Sequence, residues 1–145
     1  MRPRQAVTVL ALAGIFVALY LTLFKIGVIG SLTCSVGECE TVNTSRWAVF
    51  LGLPVAAWGL GAYVVLFALS LMGMSERFQE SRPIAIVLVA FSAWGVLFSA
   101  WLTYLELFVI HAICIWCVTS ATIITLILIA ALLDLRELRS LAETD

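Results

Sequence analysis

Charge is what this sequence has least of. Its 145 residues include only eight Lys and Arg, nine Asp and Glu and one His, so 12% are charged against 63% hydrophobic, and the mean hydropathy is +1.15. Such scarcity excludes an ordinary soluble domain, because water would face large apolar areas with nothing to offset them. The formal net charge of −1 leaves no electrostatic footprint for a nucleic acid and no polybasic arm for a membrane surface. Strict alternation of apolar and polar residues is missing as well: residues 84–91 and 123–133 are apolar at nearly every position. A lipid-facing barrel strand is thereby excluded. Cysteine is also scarce, with four in the chain, which confines any sulfur chemistry to two close pairs, Cys34 with Cys39 and Cys114 with Cys117.

What is present in quantity is apolar sequence. Four stretches, roughly residues 6–29, 49–72, 84–110 and 112–133, are each long enough to cross a hydrocarbon core of about 30 Å at 1.5 Å per helical residue. The expected fold is all-α: a polytopic bundle of four transmembrane helices forming a single integral membrane domain over residues 1–145. The first stretch follows Arg2 and Arg4 as a signal peptide would. It is too long for a signal h-region, and Val28-Ile29-Gly30-Ser31 is a weak cleavage site, so it is expected to remain as an anchor.

Basic residues orient the bundle. Arg2 and Arg4 precede the first stretch, Arg77 and Arg82 lie between the second and third, and Arg136 and Arg139 follow the fourth. Both termini are therefore expected in the cytoplasm, with the protein in the cell (inner) membrane. The outer side then carries the loop 30–48 and the turn around His111. Both cysteine pairs fall on that periplasmic or extracellular side, where disulfides form and persist.

Cys114 and Cys117 stand at i and i+3 at the head of the fourth helix, so both thiols face one side within bridging distance. A helix N-terminus favours a thiolate, and a lowered pKa improves both nucleophile and leaving group. Cys117 lies deeper, within reach of a lipid-dissolved acceptor such as a flat quinone, with Trp116 as a candidate wall. Cys34 and Cys39 sit in the polar outer loop, which can present them first to a soluble partner and then to the C-x-x-C pair. Two plainer readings stay open: a pair of structural staples, or a four-cysteine zinc site, whose spacing the pairs roughly satisfy. A metal is disfavoured, since exported thiols facing oxidants are hard to keep reduced.

The polar run after Cys39 is too hydrophilic to cross lipid, and Trp47 suits the interface, so a short amphipathic helix lying over the bundle mouth is expected between helices 1 and 2. Pro54 falls near the first turn of the second helix, where a missing N–H costs little. Gly52, Gly59 and Gly61 are expected to allow close helix approach. Glu106, an acid near membrane depth, is a candidate for proton relay or for a bond to the loop. His111, in the turn before the C-x-x-C, can support a thiolate when protonated.

Cys34, then Cys39-Glu-Thr-Val-Asn-Thr-Ser45-Arg46-Trp47, Gly52-Leu-Pro54, Gly59 and finally Cys114-Ile-Trp-Cys117 together resemble the vitamin K epoxide reductase family over nearly the whole chain. The order, loop pair before C-x-x-C, differs from that of DsbB. The resemblance implies a bundle around a quinone, with Cys114–Cys117 as the active-site disulfide, Cys34–Cys39 as the shuttle, and Ser45 in a supporting role. It implies exchange between Cys39 and Cys114, with Cys117 against the quinone. Bacterial relatives draw electrons from a thioredoxin-like, DsbA-type protein and pass them to ubiquinone or menaquinone, so that exported proteins acquire disulfides. Animal relatives reduce vitamin K epoxide and quinone by the same relay. Val55 and Ala121 stand where animal members have an asparagine and a tyrosine at the head-group, which favours simple quinone reduction over epoxide opening. No thioredoxin-like domain is expected beyond Asp145, so the partner the resemblance implies is a separate exported protein.

Overall fold

The computed structural model describes residues 2–28, 44 and 46–144. Cys34, Cys39 and Ser45 lie outside these residues, as does most of the expected outer loop and its amphipathic helix. Four long helices account for most of the rest: α1 (Pro3–Lys25), α2 (Val55–Met74), α3 (Arg82–Leu105) and α4 (Ile115–Thr144). Each is long and apolar enough to span a membrane, and the architecture is the expected all-α membrane bundle.

The helix ends follow local chemistry. Pro3 occupies the first turn of α1, and Gln5 Oε1 accepts the Arg2 N–H at 3.0 Å. Gly27, with φ +88°, turns the chain away at the far end. The start of α2 differs from expectation. Residues 49–54, apolar enough to read as helix, instead pair as β1 (Val49–Phe50) and β2 (Leu53–Pro54), in register Val49 with Pro54 and Phe50 with Leu53. Leu51 (φ 53°) and Gly52 (φ 82°) make the two-residue turn, the primed geometry that matches strand twist. Pro54 then caps α2 from outside, where its missing N–H leaves no helical bond unmade.

At the other end of the molecule the helices close tightly. Val7, Ala11, Gly14, Ala18 and Leu21 of α1 form a buried stripe at helical spacing, facing Tyr63, Leu66, Ser70 and Gly73 of α2. Ile124, Ile127, Ala131 and Asp134 of α4 make the matching stripe. The side chains that would face lipid are large and apolar, among them Phe16, Leu97 and Phe108, each more than 60% exposed. Small residues allow the close approaches, although not those expected. A Cβ on Gly14 would fall inside the ring of Tyr63, and one on Gly95 would come within 2.8 Å of Ile124. Around Gly59 and Gly61 there is nothing within 4 Å of an added Cβ, so these two leave space rather than closing it.

The buried end is fastened by one side chain. Arg4, 5% exposed, gives Nε to Asp134 Oδ2 at 2.9 Å, Nη1 to the carbonyls of Gly73 (2.7 Å) and Phe78 (2.8 Å), and Nη2 to that of Ser81 (2.9 Å). It thereby joins the start of α1, the end of α2, the connection to α3 and the far half of α4. Read in the sequence as a flanking charge, Arg4 is in the fold a buried clamp that makes four hydrogen bonds.

Candidate functional site

Opposite the clamp, the bundle opens. There all four helices together with the 46–54 segment line a cavity of about 690 Å³. Its walls are mainly apolar and aromatic, with Phe50, Leu53, Trp94, Phe98, Leu102 and Ile124 prominent. Gly59 and Gly61 line it, which is why their missing side chains matter: the space they leave belongs to the cavity. A chain of edge-to-face and tilted rings covers one side, with centroid separations of 6.5 Å for Trp47–Trp101, 5.8 Å for Trp101–Phe98, 6.3 Å for Phe98–Phe50 and 6.2 Å for Phe50–Trp58. The indole Nε1 of Trp58 donates to the Phe50 carbonyl at 2.9 Å, pinning the hairpin to α2. The Arg46 guanidinium lies 4.8 Å over the Trp47 ring.

The C-x-x-C pair stands at the edge of this cavity. Cys114 immediately precedes α4, and its carbonyl accepts the Val118 N–H at 3.0 Å, the first bond of that helix. One turn on, the Cys117 side chain lines the cavity, whereas Cys114 is fully buried behind it. The two thiols are hydrogen-bonded to each other. Cys114, between the spans, has its pKa lowered to about 7. The hydrogen bond from Cys117 is the main cause, aided by the backbone N–H groups of Cys117 and Trp116 and opposed by burial and by the charge of Glu106.

Glu106 is part of the same cluster. It opens a π-helical turn, Glu106–Ile110, that extends α3 and ends at His111 in the left-handed conformation (φ 57°, ψ 33°). The turn points the carboxyl inward, 5% exposed, where Oε2 accepts the Cys114 N–H at 3.4 Å and the carboxyl hydrogen-bonds the Cys117 side chain. Glu106 also lines the cavity. The sequence offered it a proton relay or a bond to the outer loop; among the described residues the fold sets its carboxyl against the C-x-x-C, a contact the sequence did not announce. His111 serves by its backbone: its side chain is exposed, and its unusual φ is what lets the chain reverse before Cys114.

Trp116 faces elsewhere than expected. Its ring packs on Tyr20 of α1 at 5.1 Å, and it is absent from the described lining of the cavity, whose aromatic walls include Trp47, Phe50, Trp94 and Phe98. Val55 and Ala121 do line the cavity, so the two positions singled out by resemblance are wall positions here. The polar groups come from other places. Tyr63 Oη hydrogen-bonds the carbonyl and the hydroxyl of Ser120, both at 2.8 Å, and both residues line the cavity with Glu106. Tyr63 was not foreseeable as a site residue, since a tyrosine inside an apolar helix reads as core. Among the described residues no group of His, Cys, Asp and Glu could hold a metal ion.

The cavity fits an apolar ring compound. Its volume lies within the roughly 300–1,000 Å³ of small-molecule sites, and a mostly apolar wall with a few convergent polar groups is their usual lining. A dithiol that bonds internally and opens one sulfur onto such a space is equipped for two-electron exchange with whatever occupies it. The family model for the vitamin K epoxide reductase family matches residues 5–132. With that match spanning most of the sequence, four membrane-spanning helices and the C-x-x-C at an apolar cavity, the chain belongs to the vitamin K epoxide reductase family and is a membrane oxidoreductase.

Proposed function

We propose that this protein is a thiol:quinone oxidoreductase that supports disulfide formation in exported proteins. Electrons enter from a separate thioredoxin-like, DsbA-type protein, pass through Cys34 and Cys39 to Cys114 and Cys117, and leave on a bilayer quinone such as ubiquinone or menaquinone. Both termini face the cytoplasm and the cysteines face outward, in keeping with the basic residues of the connections and with the need for an oxidising compartment. The observation that carries the reading is the division within the C-x-x-C: Cys117 lines the cavity while Cys114 lies behind it, just before the helix begins.

The exchange chemistry follows from this division. A loop thiolate, Cys39 by resemblance, attacks Cys114 Sγ of the oxidised pair; the Cys114–Cys117 bond breaks and Cys117 leaves with the electron pair. Cys34 then attacks Cys39, restoring the loop disulfide and expelling Cys114 as a thiolate. A thiol with a pKa near 7 is a good leaving group for that second step, because lower leaving-group pKa speeds exchange. The reduced pair is reoxidised across the cavity, where the quinone supplies the two-electron acceptor. Phe50, Trp94 and Phe98 would hold its ring, and Glu106, Tyr63 and Ser120 are the polar groups within the walls.

The test is quinone reduction by purified protein, driven by a reduced thioredoxin-like substrate. Cys117→Ser is expected to abolish it. Cys34→Ser or Cys39→Ser is expected to block the protein substrate while a small permeant dithiol still works. Quinone reduction by Cys117→Ser at the wild-type rate would overturn the relay. Turnover of vitamin K epoxide by the wild type, without oxidation of the thioredoxin-like protein, would favour the reductase activity of the animal members instead.

A further inference from the structure

A reduced C-x-x-C pair cannot become a disulfide without losing two protons, and on the cavity side the Cys117 thiol meets mainly apolar walls with few groups able to take its proton. Among the described residues, the ionisable groups facing that thiol are few. Cys114 precedes it in the chain, Glu106 approaches from the end of α3, and Tyr63 of α2 lies in the same walls with its hydroxyl on Ser120. Arg4, the cation buried in the bundle, is at the opposite end, bonded to Asp134. Glu106 alone meets two requirements at once: its carboxyl hydrogen-bonds the Cys117 side chain, and it lines the cavity. The bond from the Cys114 N–H at 3.4 Å holds it in place, and the π-helical turn ending at left-handed His111 aims it inward. Both are backbone features, and π turns recur at functional sites.

We propose that Glu106 is a catalytic proton carrier: its carboxylate takes the Cys117 thiol proton as the Cys114–Cys117 bond closes and delivers it into the cavity, to the oxygen that is being reduced. The inference rests on the thiol:quinone reading. Overall, two S–H bonds break and one S–S bond forms; two electrons leave the sulfurs for the quinone, which gains two O–H bonds. One proton travels from Cys117 through Glu106. The other is released from Cys114 to the outer aqueous phase, and the second proton of the hydroquinone is drawn from that phase. Glu106 ends the cycle as the carboxylate it was at the start.

Glu106→Gln tests this, since the amide keeps an acceptor for the Cys114 N–H but cannot carry a proton. Quinone reduction driven by a small dithiol is expected to fall about 100-fold or more, the range for loss of a general acid–base group, with the KM for quinone little changed. Glu106→Asp, which keeps the acid one methylene farther back, is expected to recover part of the rate. A second readout needs no quinone: infrared difference spectra between dithiol and disulfide protein should show a Glu106 carboxylate band that shifts as its Cys117 S–H partner is lost and that is missing from Glu106→Gln. A Glu106→Gln protein with native melting and a rate within threefold of wild type overturns the inference, as does a difference spectrum without that band. Cys117→Ser run in parallel separates the two ideas. If it is inactive while Glu106→Gln is not, the carrier role fails and the relay stands; if it is fully active, the relay fails.

Discussion

Removing the Arg4 guanidinium should loosen the bundle at its closed end without touching the cavity. Arg4→Met keeps most of the side-chain length but strips donors from four acceptors at once: Asp134 Oδ2 and the carbonyls of Gly73, Phe78 and Ser81. The ion pair is buried, with side-chain exposures of 6% and 9%, and breaking such a pair from one side costs about 3–5 kcal/mol. For a chain of this size that corresponds to a fall of roughly 6–20 °C in melting temperature at about 2–4 °C per kcal/mol. Asp134→Asn leaves the three carbonyl bonds and an acceptor for Nε, so it should cost about 1–3 kcal/mol. Arg4→Met with Asp134→Leu should recover part of the loss, because the unpaired carboxylate is gone. Gly73→Ala supplies an independent check: its Cβ would sit 2.8 Å from Arg4 Nη1 and 3.2 Å from Ile84 Cγ2. It should destabilise the wild type more than the Arg4→Met background, a coupling that a double-mutant cycle reads directly. The assay is thermal loss of the monodisperse peak in detergent. Melting of Arg4→Met within about 2 °C of wild type, about 1 kcal/mol or less, would refute the clamp and mean that the side chain reaches water instead.

Two further outcomes follow from the site. In the reduced protein, the ultraviolet thiolate absorbance of Cys114, whose sulfur is buried from alkylating agents, should rise with pH to a midpoint of about 7, since the thiolate share falls about tenfold per pH unit below the pKa. Cys117→Ala removes the main stabilising hydrogen bond and should move that midpoint up; an unmoved midpoint would show that the Cys117 bond is not its cause. Gly59→Leu should raise the KM for quinone several-fold with little change in melting, because nothing lies within 4 Å of an added Cβ there and the residue lines the cavity. A lowered melting temperature with unchanged KM would mean that Gly59 serves helix packing after all.

The four helices were legible because long apolar runs in so charge-poor a chain have few alternatives, and because backbone polar groups in lipid must be satisfied within a helix. Their ends were less so. Residues 49–53 are apolar and read as helix, yet Leu51 adopts a left-handed conformation that no property of leucine announces; Gly52 and Pro54 were the local signs of a turn. At the other end α4 continues to Thr144, past the point where hydropathy falls, since a helix leaving lipid can keep its backbone bonds while its side chains become polar. Arg4 and Asp134 are 130 positions apart, and nothing local distinguishes a buried basic residue from a flanking one. Within the site, the C-x-x-C and the depth difference between its two sulfurs followed from helical spacing. Glu106 was visible as an acid near membrane depth, but its partners depend on the π turn, which has no recognisable sequence pattern. Trp116 was placed at the cavity by adjacency to Cys117, whereas one residue along a helix rotates a side chain by about 100°, here onto Tyr20.

The clamp and the cavity occupy opposite ends of the same four helices, and this separates the two properties on which a substitution can act. Damage near Arg4 should show in yield and heat tolerance while surviving molecules keep their turnover; damage near Gly59 should show in turnover while yield is preserved. A scan along any one helix should therefore cross from one phenotype to the other near its middle. The cavity half can be reshaped for a different occupant on a foundation that does not take part in the chemistry.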